Sequence, residues 1–121
     1  MITAVVAIGR SGQLGLNGEL PWHDKEDLKW FREYTAVKVV IVGSATAKKL
    51  PELPGRTVVV WHRDVRQSDL VKQYPGAVII GGSTTYKAFS PYIERWHISM
   101  VDYDGPADSW FNVSALTGHW A

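Results

Sequence analysis

Residues 20–31 of the chain read Leu-Pro-Trp-His-Asp-Lys-Glu-Asp-Leu-Lys-Trp-Phe. Asp24 can cap a helix that begins directly after it and runs to about residue 34. At 3.6 residues per turn, Asp27 lies on the aromatic face of this helix. That face also carries Trp30, Phe31 and Tyr34. An unpaired buried charge is costly, so Asp27 either pairs with a ligand or merely favours the positive helix end.

The composition limits the classes of protein to be considered. The chain has 121 residues, no cysteine and a formal net charge of +1. We expect one domain over residues 1–121, without disulfides, without a metal site and without a nucleic-acid partner. The N-terminal stretch lacks a basic leader and is too short to span a membrane. We therefore expect a cytoplasmic protein with no membrane partner.

Short apolar runs alternate with helical stretches along the chain. Five of these runs are expected to be strands, at residues 3–8, 38–43, 56–61, 77–80 and 95–102. Helices are expected at residues 24–34, 45–50 and 68–74, and in a segment ending at residue 89. This alternation predicts an α/β fold around a mostly parallel central sheet.

Two glycine-rich segments could approach a phosphate group. In the first, Gly9, Gly12 and Gly15 follow a strand, but their spacing is wrong for a dinucleotide fingerprint and no helix follows them. The second, residues 80–85, joins a buried strand to a helix whose first N–H groups could bind a pyrophosphate. An ordinary turn is the alternative interpretation of this second segment.

Several motifs in a fixed order carry a resemblance to a known family. They are Leu20-Pro21-Trp22, Asp27-Leu28-x-x-Phe31, Gly43 after a strand, Leu53-Pro54-Gly55-Arg56 before a strand, and Ile80-Gly81-Gly82 with Tyr86. In this order, over residues 2–111, they resemble the dihydrofolate reductases. The resemblance implies a three-layer fold with a sheet of about five to six strands, a minimal form of that family's fold. It also implies NADPH-dependent reduction of 7,8-dihydrofolate to tetrahydrofolate by hydride transfer to C6 and protonation at N5.

The resemblance also implies roles for individual residues in substrate binding. Asp27 would bind the 2-amino group and N3 of the pterin, Ser99 would bridge the acid and the pterin, and Trp22 would hold a water nearby. Arg56, which Thr35 would orient either directly or through water, would bind the α-carboxylate of the glutamate tail. The implied cleft residues are Val5, Val6, Ala7, Leu28, Phe31, Leu50, Leu53, Ile80 and Tyr86, of which Val6 and Leu53 are better explained as core.

The implied cofactor contacts come from four parts of the chain. Residues 9–20 resemble the family's mobile loop, which closes over the nicotinamide. On the nicotinamide side the contacts would be Ala7, Leu14, Gly15, Asn17, Gly18 and Leu20. Near the phosphates they would be Gly43, Ser44, Ala45, Thr46, Gly81, Gly82, Ser83, Thr84 and Thr85. Arg63, with His62 beside it, would meet the 2′-phosphate of NADPH.

Departures from the family pattern accompany these matches. Ser44 and Thr84 stand where the family commonly has arginine, and the segment between Trp61 and Ile80 is shorter than usual. The chain also stops where relatives continue into a hairpin that completes the sheet. We expect the aromatic tail, or a second subunit in a homo-oligomer, to cover the edge that this leaves.

Two alternative functions share the implied scaffold. One is a non-catalytic protein that binds folate or a nucleotide, and the other is an aminopyrimidine reductase of the riboflavin pathway type. Asp27 and Arg56 at folate-specific positions disfavour both alternatives. The implied ligands are dihydrofolate and the diaminopyrimidine or pteridine antifolates.

Overall fold

The structure, a computed structural model, describes residues 1–16, 22, 24–50 and 53–111. The strands are β1 (Thr3–Ile8), β2 (Gln13–Gly15), β3 (Val39–Gly43), β4 (Thr57–Trp61), β5 (Val78–Gly81), β6 (Arg95–Met100) and β7 (Ser109–Trp110). The α-helices are α1 (Lys25–Thr35), α2 (Ser44–Ala47), α3 (Gln67–Gln73) and α4 (Ser83–Phe89), and a 3-10 helix spans Ser90–Tyr92.

Five of the strands form one sheet in the order β4-β3-β5-β1-β6, and every neighbouring pair is parallel. These are the five strands predicted from the apolar runs, with boundaries within two residues of those predicted. The register aligns Gly43 with Trp61 and Ala7 with Ser99. Because the strands are parallel, their carboxyl ends meet at one edge of the sheet, where ligands bind in open α/β sheets.

Helix α1 begins where the sequence predicted. Asp24 is its N-cap, and the carboxylate of Asp24 accepts a hydrogen bond of 3.0 Å from the backbone N–H of Asp27. Phe31 and Tyr34 pack against Val5, Val40 and Val78 on one face of the sheet. The aromatic face of α1 therefore serves both to attach the helix and to place Asp27.

The opposite face of the sheet carries the larger core. Helices α3 and α4 cover it with Leu70 and Phe89, and Phe89 packs edge-to-face on Trp61 with ring centroids 5.4 Å apart. Ile41 and Ile79 point from the sheet into the same cluster. Helices on both sheet faces make the three-layer α/β arrangement that the family resemblance implies.

Two local features differ from the predictions. Helix α2 ends at Ala47, whereas the sequence predicted a helix up to residue 50. Tighter turns follow it, in which the N–H groups of Lys49 and Leu50 donate to carbonyls three residues earlier in the chain. Pro51 has no N–H to donate and disfavours helical geometry at Leu50, so the chain cannot continue as an α-helix through this segment. The second feature is an antiparallel pair of strands, β2 with β7, in segments whose sequence shows no strand pattern.

None of the described helices is long and apolar enough to cross a membrane.

Candidate active site

A cavity of about 1200 Å³ opens at the carboxyl edge of the sheet, between α1, the turn after α2 and the start of α4. Residues at or near the ends of several strands line it, among them Ala7, Gly43, Trp61, Gly81 and Ser99. A cavity of this size can enclose two organic ligands side by side or one long ligand. The parallel sheet accounts for the part of the wall that the ends of the strands form.

The acidic part of the cavity is built on α1. Asp27, Leu28 and Phe31 line the wall together, and all three are half-buried. Ser99 reaches the same cavity from β6. This arrangement offers a carboxylate and a hydroxyl beside apolar walls, which suits a flat ligand with an edge of N–H donors.

Arg56 is held by three hydrogen bonds at another part of the cavity. Its Nε donates to Thr35 Oγ1 at 3.1 Å, and its Nη1 and Nη2 donate to the carbonyls of Pro54 at 2.9 Å and Arg32 at 2.7 Å. Guanidinium has five N–H groups. Within the described part of the chain, one N–H on each terminal nitrogen therefore remains for a ligand. Such a pair can bind one carboxylate through both oxygens.

Thr35 does not line the cavity, because it is fully buried behind Arg56. Its hydroxyl donates to the Phe31 carbonyl at 2.7 Å and accepts from Arg56. The sequence left open whether Thr35 contacts Arg56 directly or through water, and the structure shows a direct contact. Thr35 thus fixes the direction of the guanidinium from inside the protein.

The glycines at the ends of β3 and β5 lie too close to neighbouring hydroxyls to carry a side chain. A Cβ on Gly43 would overlap Thr85 Oγ1, and a Cβ on Gly82 would lie 2.7 Å from Thr46 Oγ1. Gly82 also caps α4 without any side-chain hydrogen bond. The wall here consists of backbone and hydroxyl groups, which is the chemistry that binds phosphate oxygens.

Tyr86 connects α4 to β1 beneath the cavity. Its hydroxyl donates a hydrogen bond of 2.7 Å to the Val5 carbonyl, and both residues line the cavity. Burial of the phenol raises the pKa of Tyr86 well above its usual range. The hydroxyl therefore stays protonated and keeps the Val5 carbonyl in place.

A network of hydrogen bonds attaches the glycine-rich segment after β1 to the segment before β7. Asp104 accepts hydrogen bonds from Ser11 Oγ at 2.6 Å and Gln13 Nε2 at 3.2 Å. The hydrogen bond from Ser11 lowers the pKa of the Asp104 carboxyl most, and the bond from Gln13 lowers it further. Asp104 therefore stays ionised at neutral pH. Further along, the Asp108 N–H donates to the Gly15 carbonyl at 2.9 Å. The start of the predicted mobile loop is thus fastened to the chain after β6.

Most of the predicted site residues lie together in the cavity wall. Those found there are Val5, Ala7, Leu14, Gly15, Trp22, Asp27, Leu28, Phe31, Gly43, Ser44, Ala45, Thr46, Leu50, Arg56, Arg63, Ile80, Gly81, Gly82, Ser83, Thr84, Thr85, Tyr86 and Ser99. His62 is exposed and is not part of the wall, although Arg63 is. The predicted contacts Asn17, Gly18 and Leu20 lie outside the described residues.

The structure adds wall residues that were not among the predicted contacts. They include Trp30, Arg32, Val37, Lys49, Trp61, Asp108 and Ser109. Val6 and Leu53, interpreted as core, also line the cavity. Trp61 ends a predicted strand, and this position could have indicated that it lies at the site, where it is aligned with Gly43. Asp108 and Ser109 reach the site only through the pairing of β7 with β2. Among the described residues, no group of histidine and acidic side chains could hold a metal ion.

Comparisons with known proteins agree on one family. The dihydrofolate reductase family model matches residues 1–120. Dihydromethanopterin reductase from Methylorubrum extorquens is 35% identical, over 97% of this chain and 94% of its own length. Dihydrofolate reductase from Neisseria meningitidis is 31% identical, over 98% of this chain and 83% of its own length. A solved dihydrofolate reductase from Enterococcus faecalis, complexed with NADP(H) and RAB-propyl, superimposes with a TM-score of 0.80 at 28% identity, covering 93% of this chain and 77% of that one.

Proposed function

The chain belongs to the dihydrofolate reductase family, and from that premise we propose that it catalyses the NADPH-dependent reduction of 7,8-dihydrofolate to 5,6,7,8-tetrahydrofolate. One observation supports this proposal most strongly. A single cavity is lined by the carboxylate of Asp27, the guanidinium of Arg56 and the glycine wall of Gly43, Gly81 and Gly82. These are the groups needed to bind a pterin edge, a carboxylate tail and a phosphate-bearing cofactor.

Substrate orientation is the task of Asp27 and Arg56. The Asp27 carboxylate would accept hydrogen bonds from the 2-amino group and N3 of the pterin, while Leu28 and Phe31 exclude water from that contact. The free pair of N–H groups on Arg56 would bind the α-carboxylate of the glutamate tail. Holding the substrate at both ends fixes C6 relative to the cofactor, which lowers the entropic part of the barrier.

The cofactor wall fits a dinucleotide. At Gly43 and Gly82 the hydroxyls of Thr85 and Thr46 occupy the space that a Cβ would take, so both hydroxyls pack directly against the backbone of this wall. The residues that would hold the cofactor are Leu14, Gly15, Ser44, Ala45, Thr46, Arg63, Gly81, Ser83, Thr84 and Thr85. When bound, NADPH supplies the hydride that is transferred to C6 of the substrate.

Protonation at N5 depends on the acidic part of the cavity. Asp27 would hold the pterin in the tautomer that accepts a proton at N5, and the Ser99 hydroxyl would bridge the carboxylate and the ring. Trp22 lies in the same wall and contacts Tyr103, with ring centroids 5.5 Å apart. It would place the water that delivers the proton.

The decisive experiment measures NADPH oxidation by the purified protein with and without dihydrofolate. We expect oxidation that depends on dihydrofolate and forms tetrahydrofolate in equal amount. Binding of both ligands without oxidation would favour a non-catalytic binding protein. Oxidation that requires an aminopyrimidine instead would favour the reductase of the riboflavin pathway type.

A second substrate, dihydromethanopterin, is favoured by one specific observation. The relative named for that reaction matches 94% of its own length, so the two chains have nearly the same extent. Parallel assays with both pterins would separate the candidates. The N–H pair on Arg56 suits the α-carboxylate of the glutamate tail of dihydrofolate, and we expect the higher kcat/KM with that substrate.

Arg63 provides a test of cofactor choice. It lines the cavity beyond the end of β4, where the 2′-phosphate of NADPH would lie. A charged hydrogen bond contributes about 1.5–3 kcal/mol, so Arg63→Ala should raise the KM for NADPH about ten- to a hundredfold. The KM for NADH should change little, and added salt should reduce the difference between the two cofactors.

His62→Ala is the matched control for Arg63→Ala, because His62 is the neighbouring residue but lies outside the cavity wall. We expect near wild-type values for both cofactors in this variant. Equal losses for NADPH and NADH in Arg63→Ala would mean that Arg63 does not read the 2′-phosphate.

We also propose that the 121 residues form a single domain and that diaminopyrimidine or pteridine antifolates bind at Asp27.

Self-association stays a prediction. Within the described part of the chain, β6 has a neighbouring strand on one side only, and Met100 and Trp110 nearby are 69% and 55% exposed. Sedimentation that shows a homo-oligomer at micromolar concentration would support a second subunit over this edge. A monomer that loses no stability when residues 110–121 are deleted would contradict both this prediction and that of the aromatic tail.

A further inference from the structure

Val37 has a backbone conformation that its side chain disfavours. Among the described residues it is the non-glycine residue with a positive φ, 56°. A β-branched residue is strained there, and asparagine or glycine is the usual occupant. Burial does not compensate for the strain, because Val37 is 91% exposed. Backbone strain that packing does not explain is a reason to look for a function.

The position of Val37 suggests what that function is. It lies in the turn after α1, and its backbone N–H donates to the Gly55 carbonyl at 3.1 Å, which joins this turn to the one that carries Arg56. Val37, Ala36 and Gly55 all line the cavity beside Arg56. An exposed apolar residue therefore lies in the same stretch of the cavity wall as Arg56, whose guanidinium has two N–H groups available.

We propose that Val37 is a specificity-determining residue that forms an outer subsite with Arg56 for the aliphatic tail of the substrate. The proposal rests on the proposed function. The α-carboxylate of a glutamate tail bound to Arg56 would place the methylene groups of that glutamate near Val37. Contact with the ligand would then remove apolar surface of the valine from water, which favours binding.

Val37→Asn separates this role from a purely structural one. Asparagine tolerates the left-handed region, so the variant should be more stable, with a Tm about 2–5 °C higher. It lacks the apolar contact, so the KM for dihydrofolate should rise about three- to tenfold. The KM for 6-methyl-7,8-dihydropterin, which has no glutamate tail, should not change, and kcat should not change with either substrate.

Two variants serve as controls. Val37→Ile keeps an apolar β-branched side chain and should retain the wild-type KM for dihydrofolate. Val58→Asn replaces another exposed valine that is not part of the cavity wall, and it should leave both KM values unchanged. Equal KM changes for the two substrates in Val37→Asn, or no change, would overturn the proposal. Failure of the wild-type protein to reduce either substrate would instead overturn the proposed function, and this proposal with it.

Discussion

Asp27→Asn should lower kcat/KM for dihydrofolate at pH 7 by about 10³- to 10⁴-fold while the fold persists. Loss of the charge-assisted hydrogen bonds to the pterin accounts for about 1.5–3 kcal/mol. Impaired protonation at N5 adds a further factor typical of lost general acid catalysis, about 10²-fold or more. The measurement is steady-state kinetics with NADPH in excess.

The structure explains why the fold should tolerate this change. The capping bond to Asp24 uses the backbone N–H of Asp27, which asparagine retains. Glu26→Gln is the matched control, because Glu26 is the adjacent carboxylate on α1 but is exposed and outside the cavity wall. Circular dichroism and Tm should be unchanged in both variants. Near-native rates for Asp27→Asn would remove Asp27 from the proposed mechanism.

Gly43→Ala should have the largest effect among substitutions in the cofactor wall. The added Cβ would overlap Thr85 Oγ1, and Thr85 is 2% exposed and cannot move outward. Overpacking of this kind costs about 1–3 kcal/mol, which corresponds to a fall in Tm of about 3–12 °C. The KM for NADPH should rise at least about tenfold, because both residues line the site.

A double-mutant cycle with Thr85→Ala tests the cause of the Gly43→Ala defect. Removing Oγ1 makes room for the new methyl group, so the double variant should be more stable than the sum of the two single variants implies, by about 1 kcal/mol or more. Gly76→Ala is the control, since a Cβ there meets nothing within 4 Å. Strict additivity of Gly43→Ala and Thr85→Ala would show that the overlap is not what destabilises the protein.

The sequence by itself determined the elements that depend on near neighbours along the chain. Helix α1 follows from the Asp24 cap and the 3.6-residue spacing of its aromatic face, and the five sheet strands follow from continuous apolar runs. The family followed from the order of short motifs. Gly43 and Gly81 lie in one cavity because parallel strands bring their carboxyl ends to one edge, whereas Asp27 and Arg56 reach the same cavity from α1 and from the turn before β4.

Only the tertiary structure decided the features that depend on contacts between distant segments. The pairing of β2 with β7 has no local pattern, because each strand is short and its partner lies about 95 residues away. The three bonds that orient Arg56 come from α1 and from its own turn. Val37, whose backbone is left-handed, lies in a turn that its own N–H joins to the carbonyl of Gly55. Side-chain type cannot reveal such features, because long-range hydrogen bonds and packing override local preference.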